Sequence, residues 1–315
     1  TTHSNHLLDL TLQSNDVSIY SFSPEIDFEG NKKFIIKNVN AGNNELLRQL
    51  GVNNTSVFLA NSSIWVEGIS DRNYIKAFLI AYCNQNLDKY KYPKEDIDFV
   101  FFEYAGGNIE HYLFDEQIND EAEERFLQEI NTLAISNRIF LFADSDMSDE
   151  KPESKKYKRL KKLEEKFGSD NLNGRIIWGF RESENLLSKE VWKKILIDFC
   201  IKNKINASTQ ELINQKISNI GNWDSYKTEY VGKFLKKLKD DGVPLREICD
   251  KKNVGRGEQW QTFKEKADLS RFILEKTLNK EITWDDFKQI PEVELLTEQI
   301  YTFITQKEKI KQENE

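Results

Sequence analysis

An apolar run that stops on a carboxylate, followed by a glycine and a second carboxylate, constrains this chain most. In Ile64-Trp65-Val66-Glu67-Gly68-Ile69-Ser70-Asp71 the run reads as a strand, the glycine as a tight turn and the aspartate as the opening of a helix. Phe140-Leu141-Phe142-Ala143-Asp144-Ser145-Asp146 repeats the theme with a second strand that ends in Asp-x-Asp. Further strands are expected at residues 17–21 and 34–37, on either side of a turn-rich stretch at 24–31, and at 56–66, 97–102, 138–143 and 174–178. Helical spacing marks 44–49, 121–135, 155–167 and 74–82, where Tyr74, Ile75, Phe78, Leu79 and Tyr82 share a side. Strands alternating with helices predict an α/β fold with a mainly parallel sheet flanked by helices. From about Lys189 the character changes to a helical C-terminal region, with helices expected at 191–201, 209–217, 227–239 and 266–278 and no further strands. Residues 306–315 are very polar and are expected to fray.

Acids gathered at strand ends are costly unless a positive charge neutralises them. Glu67, Asp71, Asp144 and Asp146 are joined by Glu182 and Glu184 of Arg181-Glu182-Ser183-Glu184-Asn185, which follows the last strand. Oxygen-only ligands favour Mg²⁺ or Mn²⁺ over zinc. Two such ions ~3.5–4 Å apart can clamp the attacking and leaving oxygens of a phosphodiester. The bland alternative is that strand ends emerge into water, where acids are ordinary. Such chemistry often adds a cation for charge developing in the transition state; on composition Lys264 and Lys266 are equal candidates. The basic run after Asp-x-Asp, with Lys155, Lys156, Lys158, Arg159, Lys161 and Lys162, reads either as a phosphate-tracking surface or as a solvated helix with Glu164 and Glu165 as partners. Gly106-Gly107-Asn108 reads as a turn, and His6 and His111 carry no clear role.

The 315 residues leave room for two domains, and the formal net charge of -8 requires any nucleic-acid contact to be local or metal-mediated. Cys83, Cys200 and Cys249 have no zinc-ligand spacing and fit a reduced, cytoplasmic compartment. No apolar run reaches membrane-spanning length and no signal peptide is visible. The chain opens on Thr1-Thr2-His3-Ser4-Asn5-His6 without a Met, as expected of a fragment of a longer polypeptide. It contains no Gly-x-x-x-x-Gly-Lys-Ser/Thr run, so by itself it is not expected to bind ATP as a P-loop protein.

Val66 to Asp71 together with Asp144-Ser145-Asp146 resembles the Toprim domain of topoisomerases, primases and related nucleases. The longer Ser56 to Gly68 stretch, Glu103-Tyr104-Ala105-Gly106-Gly107-Asn108-Ile109 and Arg181 to Asn185 are similar to the Toprim half of OLD-family (overcoming lysogenization defect) ATP-dependent endonucleases. The resemblance covers roughly residues 1–190 and is weak beyond. It implies the C-terminal end of an ABC-type ATPase domain at 1–52, a Toprim nuclease domain at 53–190 and a helical region at 191–315 that completes the nuclease. It implies two Mg²⁺ or Mn²⁺ ions held by Glu67, Asp71, Asp144, Asp146, Glu182 and Glu184, catalytic roles for Glu67, Asp144 and Lys266, and a nucleotide-switch histidine at His3. DNA is the implied substrate, with Lys155, Lys156, Lys158 and Arg159 placed where a DNA-facing segment could lie. ATP would act through an upstream ATPase domain not complete in this chain. Pairing of ATPases implies a homodimer or higher, and family settings include bacterial anti-phage defence and retron reverse transcriptase–nucleic acid complexes. The alternative is a non-catalytic DNA-binding or regulatory Toprim module within an ATPase complex. A primase or topoisomerase role lacks a breakage-reunion tyrosine motif or zinc-binding cysteine set to support it.

Overall fold

Strands β1 (Ile19–Ile26) and β2 (Lys32–Val39) form an antiparallel hairpin, with Ile19 opposite Val39 and Ile26 opposite Lys32. A computed structural model describes residues 19–26, 32–39, 62–95, 97–104, 138–144, 155–167, 172–177, 179–221, 223–246, 249–254 and 257–305. Both strands run further than the sequence suggests, and β1 carries Pro24 opposite Phe34 where a turn is expected. A two-stranded ribbon has an outer side on which a proline's missing N–H costs no ladder bond.

The parallel sheet is the frame of the site. It comprises β3 (Ser62–Val66), β4 (Val100–Glu103), β5 (Arg138–Asp144) and β6 (Leu172–Ile177), in the order β4-β3-β5-β6, and every pair is parallel. The α/β expectation with a parallel sheet is met. Helix α1 (Ile69–Asn84) carries the chain from β3 outward to β4. Helix α2 (Lys155–Phe167) carries it from β5 outward in the other direction to β6. The order therefore reverses between β3 and β5, and in open sheets the crevice outside the carboxyl ends at such a switch is where ligands bind. Side chains alternate across the sheet as a period of two requires. Ile64, Val66, Phe101, Phe140 and Phe142 join the core shared with α1, while Trp65 meets Phe102 at 5.0 Å between ring centroids.

Helix α1 is buried around its circumference, because a second layer covers the side turned from the sheet. Tyr74, Ile75, Phe78, Leu79 and Tyr82 are all buried, and so are Ala77, Ala81 and Cys83. The covering layer comes from the C-terminal region. That region comprises α3 (Lys189–Ile195), which ends in a π-helical turn (Leu196–Cys200), then α4 (Ala207–Ser218), α5 (Asp224–Thr228), α6 (Val231–Asp240), α7 (Lys266–Leu278), α8 (Trp284–Phe287) and α9 (Pro291–Thr305), of which α7, α8 and α9 pack on α1. Phe78 meets Phe287 edge-on at 4.9 Å and Tyr82 meets Trp284 at 5.1 Å. Each such ring contributes about 2 kcal/mol by burial. One apolar cluster runs from Ile64 to Ile304, so the core is continuous across residue 190.

Three sequence expectations change here. Strands do not end at Lys189: β7 (Cys249–Val254) and β8 (Gly257–Phe263) form an antiparallel hairpin with a bulge between Asp250 and Lys251. Their polar run Asp250-Lys251-Lys252-Asn253 lacks apolar alternation, and only Gly255 and Gly257 signal a turn. The helix expected at 227–239 is two helices, because Glu229 and Tyr230 are extended. Helices α8 and α9 also lie beyond the expected set. The helices expected at 44–49 and 121–135, the glycine turn at 106–108 and the polar tail lie outside the described residues. No helix among the described residues is long and apolar enough to cross a membrane.

Candidate active site

Glu67 follows β3 directly, and Asp71 lies in the first turn of α1. Gly68 between them has φ of −157°, an extended backbone open to any residue, and a Cβ built there meets nothing within 4 Å. The glycine is therefore not required by the turn, and it leaves room beside Glu67. Asp71 folds back so that its Oδ2 accepts from Gly68 N–H at 3.1 Å. Asp144 is the last residue of β5, across the switch from Glu67.

Ser183 joins the two sides. Its Oγ lies 2.6 Å from Asp71 Oδ1 and 2.9 Å from Asp144 Oδ1, and its backbone N–H donates to Asp144 Oδ2 at 3.3 Å. A hydroxyl has one proton to give. Both contacts are hydrogen bonds only when one carboxyl keeps its own proton and donates it to Oγ. The electrostatics agree. Burial first, then the charges of Glu67 and Glu184, push Asp71 up to about 7 against the bonds from Ser183 and Gly68. Burial, then Asp71 and Glu184, hold Asp144 well above the carboxylate range despite Ser183 and Lys266.

Glu182 and Glu184 enter from the turn after β6. Lys266, the first residue of α7, places Nζ 3.1 Å from Glu184 Oε2 and 3.5 Å from Glu182 Oε1. Burial alone would lower this ammonium, but Glu184 and Glu182 outweigh it and raise it above its ordinary value. Burial likewise raises Glu182, with Lys266 opposing. The turn is strapped to the break between α5 and α6. Asn185 Nδ2 donates to the carbonyls of Tyr226 and Glu229 at 2.7 and 3.1 Å, and its Oδ1 accepts from Glu182 N–H at 2.8 Å. Tyr226 hydroxyl donates to Glu184 O at 2.6 Å, and Val231 N–H donates to Glu182 Oε2 at 3.3 Å. These bonds take the backbone groups that a continuous helix would use, which is why periodicity alone misplaces that helix. Helices α1 and α7 are tied by Asn73 Nδ2, which donates to the buried Ser270 Oγ at 3.1 Å.

Acids outside the cluster show what an ordinary strand-end carboxylate does. Glu95 and Glu103 both pair with Arg72, at 2.6 and 3.4 Å, and Glu95 also takes Lys76 at 2.6 Å. Although burial would raise Glu95, these two cations hold it below its usual value. In the cluster, by contrast, Glu182 and Glu184 both meet the one ammonium of Lys266, whose charge also acts on Asp144. The bland reading of acids solvated at strand ends fits Glu103 and not the cluster.

The structure thus brings together Asp71, Asp144, Glu182, Glu184 and Lys266, with Glu67 close enough for its charge to act on Asp71. Lys266 meets Glu182 and Glu184, while Lys264 is exposed. Asp146 and His3 lie outside the described residues. Lys155, Lys156, Lys158 and Arg159 lie on α2; the Lys158 side chain is exposed and Arg159 is half-buried. Sequence reasoning assigned no role to Ser183, whose only signal is its place between two glutamates, nor to Asn185 and Tyr226. The hard-oxygen donor set and its excess of buried negative charge fit a divalent cation. As the side chains stand, no group of three or more His, Cys, Asp or Glu among the described residues is arranged to hold an ion. Ser183 and Lys266 occupy the oxygens that an ion would take.

Lys266→Ala is expected to destabilise the metal-free protein by about 2 kcal/mol, because it leaves Glu182 and the buried Glu184 without a counterion. Added Mn²⁺ is expected to recover most of that loss in thermal melting. Wild-type melting of the variant in EDTA would show that the pair is unimportant to the fold.

Compared with protein-family models, curated proteins and solved structures, the chain matches none.

Proposed function

We propose that this chain is the Toprim nuclease part of an OLD-like ATPase-nuclease and hydrolyses DNA phosphodiesters with Mg²⁺ or Mn²⁺. The observation that carries the reading is Asp71 and Asp144 converging on one hydroxyl at the sheet's switch point, beside the Glu182–Lys266–Glu184 cluster. Glu67, Asp71, Asp144, Glu182 and Glu184, with Asp146, would hold the ions. When bound, such ions supply an activated water and neutralise charge on the attacking and leaving oxygens. The chain's own groups do the remainder. Ser183 holds the carboxylates of Asp71 and Asp144 in one place. Lys266, fixed at the start of α7, directs its ammonium at charge that develops on the phosphoryl oxygens. The water oxygen would bond to phosphorus and release one proton, the bond from phosphorus to the leaving oxygen would break, and that oxygen would take up a proton in turn, so that none is gained or lost overall. ATP control through an upstream ATPase domain, a homodimeric or larger assembly, and a setting in anti-phage defence or a retron complex rest on the motif resemblance.

The test is nicking of supercoiled plasmid by the full-length protein in Mg²⁺, Mn²⁺ or EDTA, with and without ATP. Cleavage in either ion that EDTA abolishes is the expected result. No nicking under any of these conditions would replace this reading with the second one, a DNA-binding or regulatory Toprim module. The specific observation in favour of that second reading is that Ser183 and Lys266 already fill the carboxylate oxygens.

A further inference from the structure

Arg181 directly precedes Glu182, at the same edge of the sheet as the acids, and nothing above gives it a task. Its backbone is fixed by donation from its N–H to Lys227 O at 2.9 Å. Its guanidinium lies over the Tyr230 ring, 3.7 Å from the centroid, and one amino group donates to the Tyr230 hydroxyl. Tyr230 in turn precedes Val231, whose N–H holds Glu182 Oε2. Arg181 and Tyr230 therefore flank that one bond from two segments of the chain, each a residue away from it. Both side chains are half-buried, so both can be reached from solvent.

The partners are informative. Arg72 and Lys266 pair with carboxylates. Arg181, next to Glu182, takes a phenol and a ring, and among the described residues no carboxylate pairs with it. Its full charge and its remaining N–H donors are left for an anion from outside. A planar guanidinium matches the oxygens of a phosphate, and stacking on tyrosine orders it before the ligand arrives. In a chain of net charge -8 a polyanion is held only by local cations of this kind.

We propose that the Arg181–Tyr230 stack is a phosphate-binding subsite that holds a nucleic-acid backbone beside the acid cluster. The identity of the ligand rests on the nuclease reading; the subsite itself is tested without cleavage. A fluorescein-labelled DNA duplex is titrated with full-length protein in EDTA at several salt concentrations, followed by anisotropy. Arg181→Ala is expected to weaken binding about tenfold and to flatten the slope of log affinity against log salt by about 0.9, one phosphate contact. Arg181→Lys is expected to keep the slope and lose part of the affinity, since it keeps the charge and loses the planar stack. Melting in EDTA checks that each variant is folded. Wild-type affinity and slope in a folded Arg181→Ala variant would overturn the subsite, as would a wild type that binds no DNA. Lost binding in Arg181→Ala beside a wild type that cuts no plasmid would uphold the subsite while the nuclease reading fell.

Discussion

Asp144→Ala is expected to lower plasmid cleavage by about a thousandfold or more, equivalent to about 4 kcal/mol of barrier, while the protein stays folded. Asp144 ends the strand next to the switch point and faces Asp71 across a single oxygen atom, so no neighbouring carboxylate replaces it. The fold survives because Ser183 keeps its bond to Asp71 and the core of β5, from Ile139 to Ala143, is untouched. Removing one of several buried like charges also raises the melting temperature of the metal-free protein. Loss of activity with equal or higher stability in EDTA is therefore the expected pair of results. Glu67→Ala is expected to behave in the same way, since its charge acts on Asp71. Undiminished cutting by either purified variant would sink the assignment of the acids.

The sequence made the parallel sheet legible because its strands are buried on both faces. Runs such as Ile139 to Ala143 are uniformly apolar and end on the residue that matters. The acids were legible for the same reason, since a carboxylate that closes such a run has few structural explanations. What stayed hidden depends on contacts across the chain. Ser183 looks like any serine until folding brings Asp71 and Asp144, 112 and 39 residues away, onto its hydroxyl. The gap between α5 and α6 is a response to Asn185 and Glu182, not to any local breaker. The β7–β8 hairpin escaped because its first strand is polar and has no apolar alternation to read. Lys266 differs from Lys264 only in its place at the head of α7, a helix held against α1 by Asn73 and Ser270.

In EDTA the melting temperature is expected to fall as pH rises from 5 through 7. In the unfolded chain Asp71 releases its proton near 3.8, whereas burial among Glu67, Asp144 and Glu184 keeps it to about 7 in the folded protein. The folded state therefore binds more protons throughout that window, and stability drops as pH climbs. The stabilisation is fully present below the unfolded value and lost through the folded one. At about 1.4 kcal/mol per pH unit and per proton, and with the group half-titrated at pH 7, the change from pH 5 to pH 7 is about 2 kcal/mol. Paired acids such as Glu95 act in the opposite sense but titrate below this window. A divalent cation replaces the shared proton as the counterion of the pair. Saturating Mg²⁺ or Mn²⁺ should thus raise the melting temperature at pH 7 more than at pH 5; at pH 7 a hundred times the dissociation constant corresponds to about 3 kcal/mol of stabilisation. Asp71→Asn removes the titrating group and one donor together. It should flatten the pH dependence in EDTA and weaken the cation's effect. A wild-type melting temperature that rises with pH in EDTA, or that ignores both ions at pH 7, would rule out a frustrated acid pair awaiting a cation.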